Sequence, residues 1–243
     1  MEEIFSRNEL LWGEDFQKSL SQKCVLVAGL GGVGGYALEA LARSGVGKFK
    51  IIDFDTVEES NINRQIIALN STIGQQKTDL FEKRLKNINP DIKIKKYNCF
   101  YTKDLNNEVF DGVDYVVDAI DTMRYKVDLI DSAVKFGVPV VSAFGAGNRI
   151  DPTKLRIADI SEIEKPNDAF SKNILYQLKK RNITTGVTAV ISEETPIKPI
   201  EKTVGTLPDG STKIRVGSCV FVPAVMGYYM AYHICNKCKA EKM

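Results

Sequence analysis

The chain has 243 residues, of which 44% are hydrophobic and 26% charged, and this is the composition of an ordinary globular protein. Its formal net charge of +2 neither predicts nor excludes a nucleic-acid partner. Five cysteines behind a polar, acidic start argue against a secreted disulfide scaffold and predict a cytoplasmic protein.

Predicted strands and helices alternate through the first part of the chain. Strands are expected near 24–29, 49–53, 92–99, 114–119 and 138–142, and helices near 8–20, 33–44, 77–88 and 123–136. This order predicts an α/β fold, a Rossmann-like doubly wound and mostly parallel sheet. We expect one domain over 1–243, with a nucleotide-binding part at 1–150 and a substrate-side extension at 151–243.

The expected extension is less regular. It contains a strand at 156–160, a basic helical stretch at 171–181 and a loop with a hairpin at 195–211, which includes Pro196, Pro199 and Pro208. We expect antiparallel strands here and a loop that closes over the nucleotide. The basic stretch carries Lys172, Lys179, Lys180 and Arg181, which suit either RNA phosphates or a solvated helix face.

A glycine-rich turn follows the first strand. Four glycines separate an apolar run of strand length from a stretch of helical spacing: Gly29, Gly31, Gly32 and Gly34. Glycines let a backbone approach a phosphate closely, and the free N–H groups at the helix start stabilise its charge. The second strand ends at Asp53, where the ribose hydroxyls would lie. These features predict a nucleotide site without distinguishing ATP from NAD or FAD.

The segment after Asp53 favours a triphosphate. Five further candidate site residues follow in chain order: Asp55, Asn61, Arg64, Lys77 and Asp121. An enzyme that adenylates a carboxylate must neutralise three phosphates, and Asn61, Arg64 and Lys77 supply amide and cationic donors. Asp121 ends an apolar strand, and its carboxylate is of the type that holds Mg²⁺. The set predicts a site for ATP and Mg²⁺.

Each of these side chains also has a structural interpretation. Asn61 and Arg64 could be a capping and surface pair. Lys77 begins a helical stretch and could be a solvated lysine. Asp121 could cap the helix that begins near Met123, since aspartate is a favoured N-cap.

The ordered set, over roughly 7–159, resembles the ubiquitin-activating-like (ThiF/MoeB/HesA-type) superfamily of adenylating enzymes. The resemblance implies a homodimer in which an N-terminal arginine of one subunit reaches the triphosphate of the other. Arg7 occupies the matching place, although a surface arginine is the alternative. The roles implied are nucleotide binding by the glycines and Asp53, phosphate stabilisation by Arg64, Lys77 and Arg7, and metal binding by Asp121.

Three further segments, at 61–66, 143–153 and 217–227, resemble a tRNA-modifying dehydratase branch of that superfamily. The resemblance implies ATP-dependent cyclisation of threonylcarbamoyl-adenosine in tRNA, with AMP and pyrophosphate released, and a sulfur-transfer protein is a further candidate partner. One alternative is adenylation of the C-terminal glycine of a ubiquitin-like sulfur carrier. Two others are an NAD-dependent oxidoreductase and a nucleotide-binding scaffold without turnover.

The C-terminal segment carries two more patterns. Cys235 and Cys238 have metal-ligand spacing, but no second Cys-x-x-Cys pair completes a zinc site, so two incidental thiols on a frayed tail are favoured. The apolar run 219–235 contains Pro223, Gly227 and His233, and it favours a buried helix over contact with a membrane. His233 is the only histidine, and a structural role is expected for it.

Overall fold

The computed structural model describes residues 3–198, 204–206, 212–214 and 216–240. Its helices are α1 Ser6–Trp12, α2 Glu14–Gln22, α3 Gly34–Ser44, α4 Lys77–Ile88, α5 Asn106–Val109, α6 Met123–Lys135, α7 Ala169–Lys180 and α8 Phe221–Ala240. Its strands are β1 Cys24–Ala28, β2 Lys48–Ile52, β3 Lys93–Tyr97, β4 Tyr115–Asp118, β5 Val140–Phe144, β6 Leu155–Asp159, β7 Thr188–Ser192, β8 Val204–Thr206 and β9 Thr212–Ile214.

Within the described residues, seven strands form one sheet in the order β3-β2-β1-β4-β5-β7-β6. All neighbours in this sheet are parallel except β6 and β7, which pair antiparallel. The order reverses between β1 and β4, and in open parallel sheets the crevice at such a point, beyond the carboxyl ends of the strands, binds ligands. The predicted doubly wound, mostly parallel fold is confirmed.

Two apolar layers cover the sheet, because each strand sends alternate side chains to opposite faces. In β1, Val25 and Val27 contact the layer of α3, α4 and α8, whereas Leu26 and Ala28 contact the layer of α6 and α7. All of β1 is buried, which explains why its sequence is an unbroken apolar run. The two layers fix the carboxyl ends of the strands in one rigid edge.

The first predicted helix is wrong in one respect. Instead of a continuous helix at 8–20, the chain forms α1 and α2 with Gly13 between them. Gly13 has a φ of 83°, a value that residues other than glycine rarely adopt. The first helix therefore ends at Gly13 and the second begins after it. The other helices and strands predicted before residue 150 are present within a few residues of their expected bounds.

The second half of the chain completes the same sheet. The predicted strand and basic helix are β6 and α7, but β7, which lies between β5 and β6, was missed by the sequence analysis. The predicted hairpin corresponds to β8 and β9, which pair antiparallel, while its residues at 199–203 and 207–211, with Pro199 and Pro208, lie outside the described residues.

The C-terminal apolar run forms α8, which packs against α3 and β5, as expected of a buried helix. In the part of the chain that the structure describes, no helix combines the length and apolar character needed to span a membrane.

Candidate active site

A cleft of about 1480 Å³ lies along the carboxyl ends of the parallel strands. The sequence-predicted residues that line it are Gly29, Gly31, Gly32, Asp53, Asp55, Asn61, Arg64, Lys77 and Asp121. The fold therefore brings together side chains that are far apart in the sequence. One wall consists of these residues, which we call the nucleotide wall. The opposite wall, the far wall, is formed by residues 145–149, 167–170, 173, 195–196, 216 and 218.

The glycine turn connects β1 to the start of α3 and faces the cleft. Gly29 has a φ of 86°, and a Cβ added to Gly34 would overlap the carbonyl oxygen of Gly29. A side chain at Gly34 would thus force the turn open, although Gly34 itself does not line the cleft. At the start of α3 the N–H groups of Gly35 and Ala37 donate to the carbonyl oxygens of Gly31 and Val33 at 3.0 and 3.1 Å, so backbone donors for a phosphate would come from the turn before the helix.

Asp53 holds this turn in place. It is buried, and its Oδ2 accepts a hydrogen bond from the backbone N–H of Leu30 at 2.6 Å while its Oδ1 accepts from that of Asp55 at 2.8 Å. Burial raises the pKa of the Asp53 carboxyl, and the Lys77 ammonium and the two N–H groups oppose this rise. Each oxygen keeps a lone pair after its backbone bond, so the carboxylate can still accept a hydroxyl group.

Lys77 is not the solvated lysine of the alternative interpretation. Its side chain is 5% exposed, and its Nζ lies 2.9 Å from Oδ2 of Asp55. The backbone of Lys77 also donates to the carbonyl oxygen of Asp55 at 3.2 Å, which fixes the start of α4 against the end of β2. The result is an ammonium group held at the nucleotide wall by a half-exposed carboxylate that a phosphate could replace.

Asn61 and Arg64 lie on a short 3-10 helix and the turn after it. Asn61 Oδ1 accepts from the backbone N–H of Glu58 at 3.2 Å, so the capping interpretation holds for its oxygen while the residue also lines the cleft. Arg64 donates to the carbonyl oxygen of Ser60 at 2.8 Å. Burial lowers the pKa of Arg64, whereas the negative charges of Asp121 and Glu58 oppose this shift. Arg64 and Asp121 therefore interact across the nucleotide wall.

Asp121 is exposed at the end of β4, and it does not cap the helix that follows, because the N-cap of α6 is Thr122. The loop carrying Asp121 rests on a buried ion pair. Lys126 Nζ lies 2.8 Å from Oδ2 of Asp118 and donates to the carbonyl oxygen of Ile120 at 3.1 Å, and both side chains of the pair are 0% exposed.

Asp118 completes this support. Its Oδ2 accepts from the hydroxyl of Ser142 at 2.6 Å, and its Oδ1 accepts from the backbone N–H of Ile120 at 3.2 Å. Lys126 and Asp118 thus hydrogen-bond the carbonyl oxygen and the backbone N–H of Ile120, the residue before Asp121. This ion pair was not predicted from the sequence. A usable signal exists, because a lysine three residues after Met123 and four before Ile130 lies on the apolar face of a helix.

A buried arginine organises the far wall. Arg149 is 2% exposed, and its guanidinium donates to Oδ1 of Asn167 at 2.7 Å, to Oδ2 of Asp168 at 2.9 Å and to the carbonyl oxygen of Glu194 at 3.2 Å. A further bond joins it to the carbonyl oxygen of Gly145. Arg149 therefore ties three separate segments of the chain together. No role for Arg149 was predicted from the sequence, because its partners are far away in the chain.

Three aromatic rings line the cleft beside Asp53. Phe54 and Phe100 are stacked with centroids 3.6 Å apart, and Phe100 and Tyr125 lie 5.1 Å apart with a tilt of 31°. Aromatic faces are suitable surfaces for a planar base. We call this group the aromatic patch.

A family model described as the ThiF family matches residues 5–236. The chain belongs to the ThiF family. The resemblance to adenylating enzymes inferred from the sequence is therefore confirmed.

Several relatives of this ThiF family chain are similar over their whole length. A protein of Bacillus subtilis (strain 168) named tRNA threonylcarbamoyladenosine dehydratase is 42% identical, with 95% of this chain and 92% of that protein covered. The solved structure of the E. coli tRNA N6-threonylcarbamoyladenosine dehydratase in complex with ATP is 30% identical with a TM-score of 0.88, covering 99% of this chain and 96% of that one. The same enzyme in complex with AMP matches at 31% identity with a TM-score of 0.88.

Arg7 is the predicted site residue that lies apart from the others. It is exposed on α1 and does not line the cleft of its own chain. Its neighbours Leu10 and Leu11 are 86% and 80% exposed. Within one ThiF family chain, the structure therefore does not bring Arg7 to the nucleotide wall.

The C-terminal thiols correct another expectation. Cys235 and Cys238 lie in α8 and are buried, so the prediction that they lie on a frayed tail is wrong. Burial raises the pKa of the Cys235 thiol to about 11, which keeps it protonated and unreactive at neutral pH. Among the residues that the structure describes, no group of three or more His, Cys, Asp and Glu side chains is arranged to hold a metal ion.

Proposed function

We propose that the protein uses ATP to dehydrate threonylcarbamoyl-adenosine in tRNA to a cyclic form, and that it releases AMP and pyrophosphate. The observation that carries the proposal is the 42% identity to a dehydratase over 95% of the chain. The cleft supports it, because cationic, amide and carboxylate groups line one wall beside an aromatic patch. An NAD-dependent oxidoreductase would not need Arg64, Lys77 and Asp121 together at this edge of the sheet.

The reaction has two steps. An oxygen of the substrate carboxylate attacks the α-phosphorus of ATP, the bond between the α-phosphorus and its bridging oxygen breaks, and pyrophosphate leaves. The neighbouring carbamoyl nitrogen then attacks the acyl carbon, which closes the ring and releases AMP and one proton. The oxygen lost from the nucleoside leaves in AMP. No step needs an enzyme thiol, which agrees with the buried, protonated Cys235.

Positioning and charge stabilisation are the contributions of the protein. The glycine turn at 29–34 binds phosphate through backbone N–H groups, and Asp53 accepts a ribose hydroxyl. Lys77, Arg64 and Asn61 contact the triphosphate, with Lys77 shifting from Asp55 to a phosphate oxygen. The aromatic patch holds the adenine. In this scheme the nucleotide wall binds ATP, and the far wall faces the nucleoside.

Mg²⁺ fits this site through Asp121. Mg²⁺ is commonly held by one or two carboxylates together with substrate phosphates and waters, so a three-residue cluster is not required. The exposed Asp121 carboxylate lines the cleft where the phosphates would lie. When bound, the ion would neutralise charge on the phosphates.

A second copy of this chain is proposed to supply Arg7. Two adjacent leucines of α1, Leu10 and Leu11, are 86% and 80% exposed and form an apolar surface that a partner could cover. Docking of α1 on a partner would bury Leu10 and Leu11 and carry Arg7 away from its own cleft. We also propose that the parts 1–150 and 151–243 act as one domain, that the protein is cytoplasmic, and that a sulfur-transfer protein is a candidate further partner.

The test is turnover with purified protein, ATP, Mg²⁺ and tRNA whose threonylcarbamoyl carboxylate carries ¹⁸O. The expected result is a nucleoside lighter by one labelled water, with one ¹⁸O atom in each AMP formed. Unlabelled AMP would indicate ATP hydrolysis without adenylation of the substrate. Absence of AMP with this tRNA, together with pyrophosphate exchange stimulated by a ubiquitin-like carrier protein, would replace the proposal with the sulfur-carrier alternative.

A further inference from the structure

One face of α7 is exposed and basic. Lys172, Tyr176, Lys179 and Lys180 are all exposed, and their spacing of four, seven and eight residues places them on one side of the helix. The opposite side is buried through Ser171, Ile174 and Leu178. We call the four exposed residues the α7 lysine face.

The charges of this face are not neutralised by the surrounding chain. α7 contains no acidic residue, and none of its three lysines forms an ion pair with another residue of the described ranges. Lys180 Nζ instead lies 4.4 Å from the ring centroid of Tyr176. Arg181, which the sequence grouped with these lysines, differs, because its Nη2 lies 2.8 Å from Oδ1 of Asp128 and its Nη1 donates to the carbonyl oxygen of Val127.

Helix stability does not account for all of this pattern. Lys179 and Lys180 lie in the last turn of α7, where cations interact favourably with the helix dipole. Lys172 lies in the first turn, where the dipole disfavours a positive charge. The acidic N-cap at that end, Asp168, is paired with Arg149 and Ser171, so the charge of the exposed Lys172 is available to an external anionic partner.

The face begins at the mouth of the cleft. Ala169, Phe170 and Asn173, all in the first half of α7, line the cleft. Lys172 and Lys180 are eight residues apart on the helix, so the lysines extend from the cleft over about 12 Å. An RNA whose modified nucleoside enters the cleft would lie with its backbone along this helix.

We propose that the α7 lysine face binds the RNA phosphates that flank the nucleoside in the cleft, and this inference rests on the proposed function. Lys172, Lys179 and Lys180 contact phosphates, and Tyr176 stacks on an unpaired base or packs against a ribose. Such contacts position the substrate without reading its sequence. Arg181 is not part of the surface.

The test compares two triple variants of the full-length protein. K172Q/K179Q/K180Q removes the three lysines of the face, and K83Q/K86Q/K93Q removes three exposed lysines of α4 and β3 that do not line the cleft. Binding of threonylcarbamoyl-adenosine tRNA is measured by filter retention over a series of salt concentrations. Each phosphate contact contributes about 0.7 to 0.9 to the slope of log affinity against log salt.

For the α7 variant we expect the slope to decrease by about two, tRNA affinity to fall about tenfold at moderate salt, and KM for ATP to stay unchanged. The control variant should keep the wild-type slope. A wild-type slope in the α7 variant, or an equal decrease in the control, would overturn the inference and leave an acidic protein as the partner for this face.

Failure of the proposed function would be visible separately. A wild-type protein that binds tRNA through the α7 lysine face but forms no cyclic nucleoside would contradict the function and retain the inference. If the wild type forms the cyclic nucleoside and the α7 variant has an unchanged KM for tRNA, the proposed function is retained and the inference about the α7 lysine face is contradicted. Absence of tRNA binding by the wild type would remove both.

Discussion

The two walls of the cleft are built in different ways. On the nucleotide wall, Arg64 and Asp121 reach the cleft from a turn after a 3-10 helix and from the loop after β4, and each has a hydrogen-bond partner close in sequence. On the far wall, Arg149 is buried and joins residues 18, 19 and 45 positions away. The first wall lines the cleft with charged groups that can bind a ligand, whereas in the second the charge of Arg149 holds the wall in shape. Substitutions should therefore affect chemistry on one side and architecture on the other.

The support beneath Asp121 is an exception on the nucleotide wall, and breaking it should have the largest effect. Lys126→Met leaves the Asp118 carboxylate buried without a cation, and removal of one partner of a buried pair costs about 3–5 kcal/mol of unfolding free energy. Urea unfolding measures this loss. Lys126→Met with Asp118→Asn should recover part of the stability, because the buried charge is gone. If Lys126→Met alone were as stable as the wild type, the ion pair of Lys126 and Asp118 would not be what supports the Asp121 loop.

Asp121→Asn should separate chemistry from stability. We expect kcat for AMP formation to fall about a hundredfold or more, because the carboxylate proposed to hold Mg²⁺ on the triphosphate is lost, while the melting temperature stays unchanged since Asp121 is exposed. Steady-state kinetics with titrated Mg²⁺ measures the first effect. Asp104→Asn, at an exposed position away from the cleft, is the matched control. Equal kcat values in the two variants would exclude Asp121 from the reaction.

Arg149→Met tests the far wall. Loss of its bonds to Asn167, Asp168 and Glu194 should lower the unfolding free energy by about 2 kcal/mol, since hydrogen bonds to charged groups are stronger than neutral ones. KM for tRNA should rise more than KM for ATP. Arg43→Met is the control, because that side chain is 61% exposed and its partner Glu39 keeps Arg84. If KM for ATP rose more than KM for tRNA, Arg149 would instead contribute to nucleotide binding.

Asp53→Asn should have the smallest effect. An amide can accept only one of the two backbone bonds, so KM for ATP should rise about tenfold, relative to an Asp91→Asn control.

Comparison of Asp53→Asn with the wild type should also reveal the pH dependence that the Asp53 carboxyl gives to stability. Because the pKa of Asp53 is raised in the folded state, its protonation favours folding, and that stability is lost as pH rises through the folded pKa. The stability of the wild type relative to Asp53→Asn should therefore increase between pH about 7 and about 4, as measured by urea unfolding at each pH. A difference that is flat with pH would contradict the raised pKa.

The comparison also explains what could be predicted from the sequence. Asp53, Asn61, Arg64 and Asp121 follow predicted strands or a recognisable turn, and parallel strands bring such positions to one edge. The partners of Arg149 are distant in the chain, and no local pattern joins them. Lys126 was missed because an isolated lysine on a helix is normally solvated. The frayed tail was wrong because α8 continues past Cys235 against the core.

The position of β7 has a consequence for folding kinetics. β7 pairs parallel with β5, so their association closes a loop that contains β6 and α7. Closing such a loop costs entropy before any contact compensates for it, and the pairing of β1 with β4 closes a still longer one that contains β2 and β3. Only the parallel pair of β1 and β2 assembles through a short connection, the turn and α3. The glycine turn and Asp53 should therefore form early, and Asp121 and the far wall late. A folding intermediate of this chain would contain the turn that receives a phosphate but lack both the carboxylate for the metal and the side facing the nucleoside.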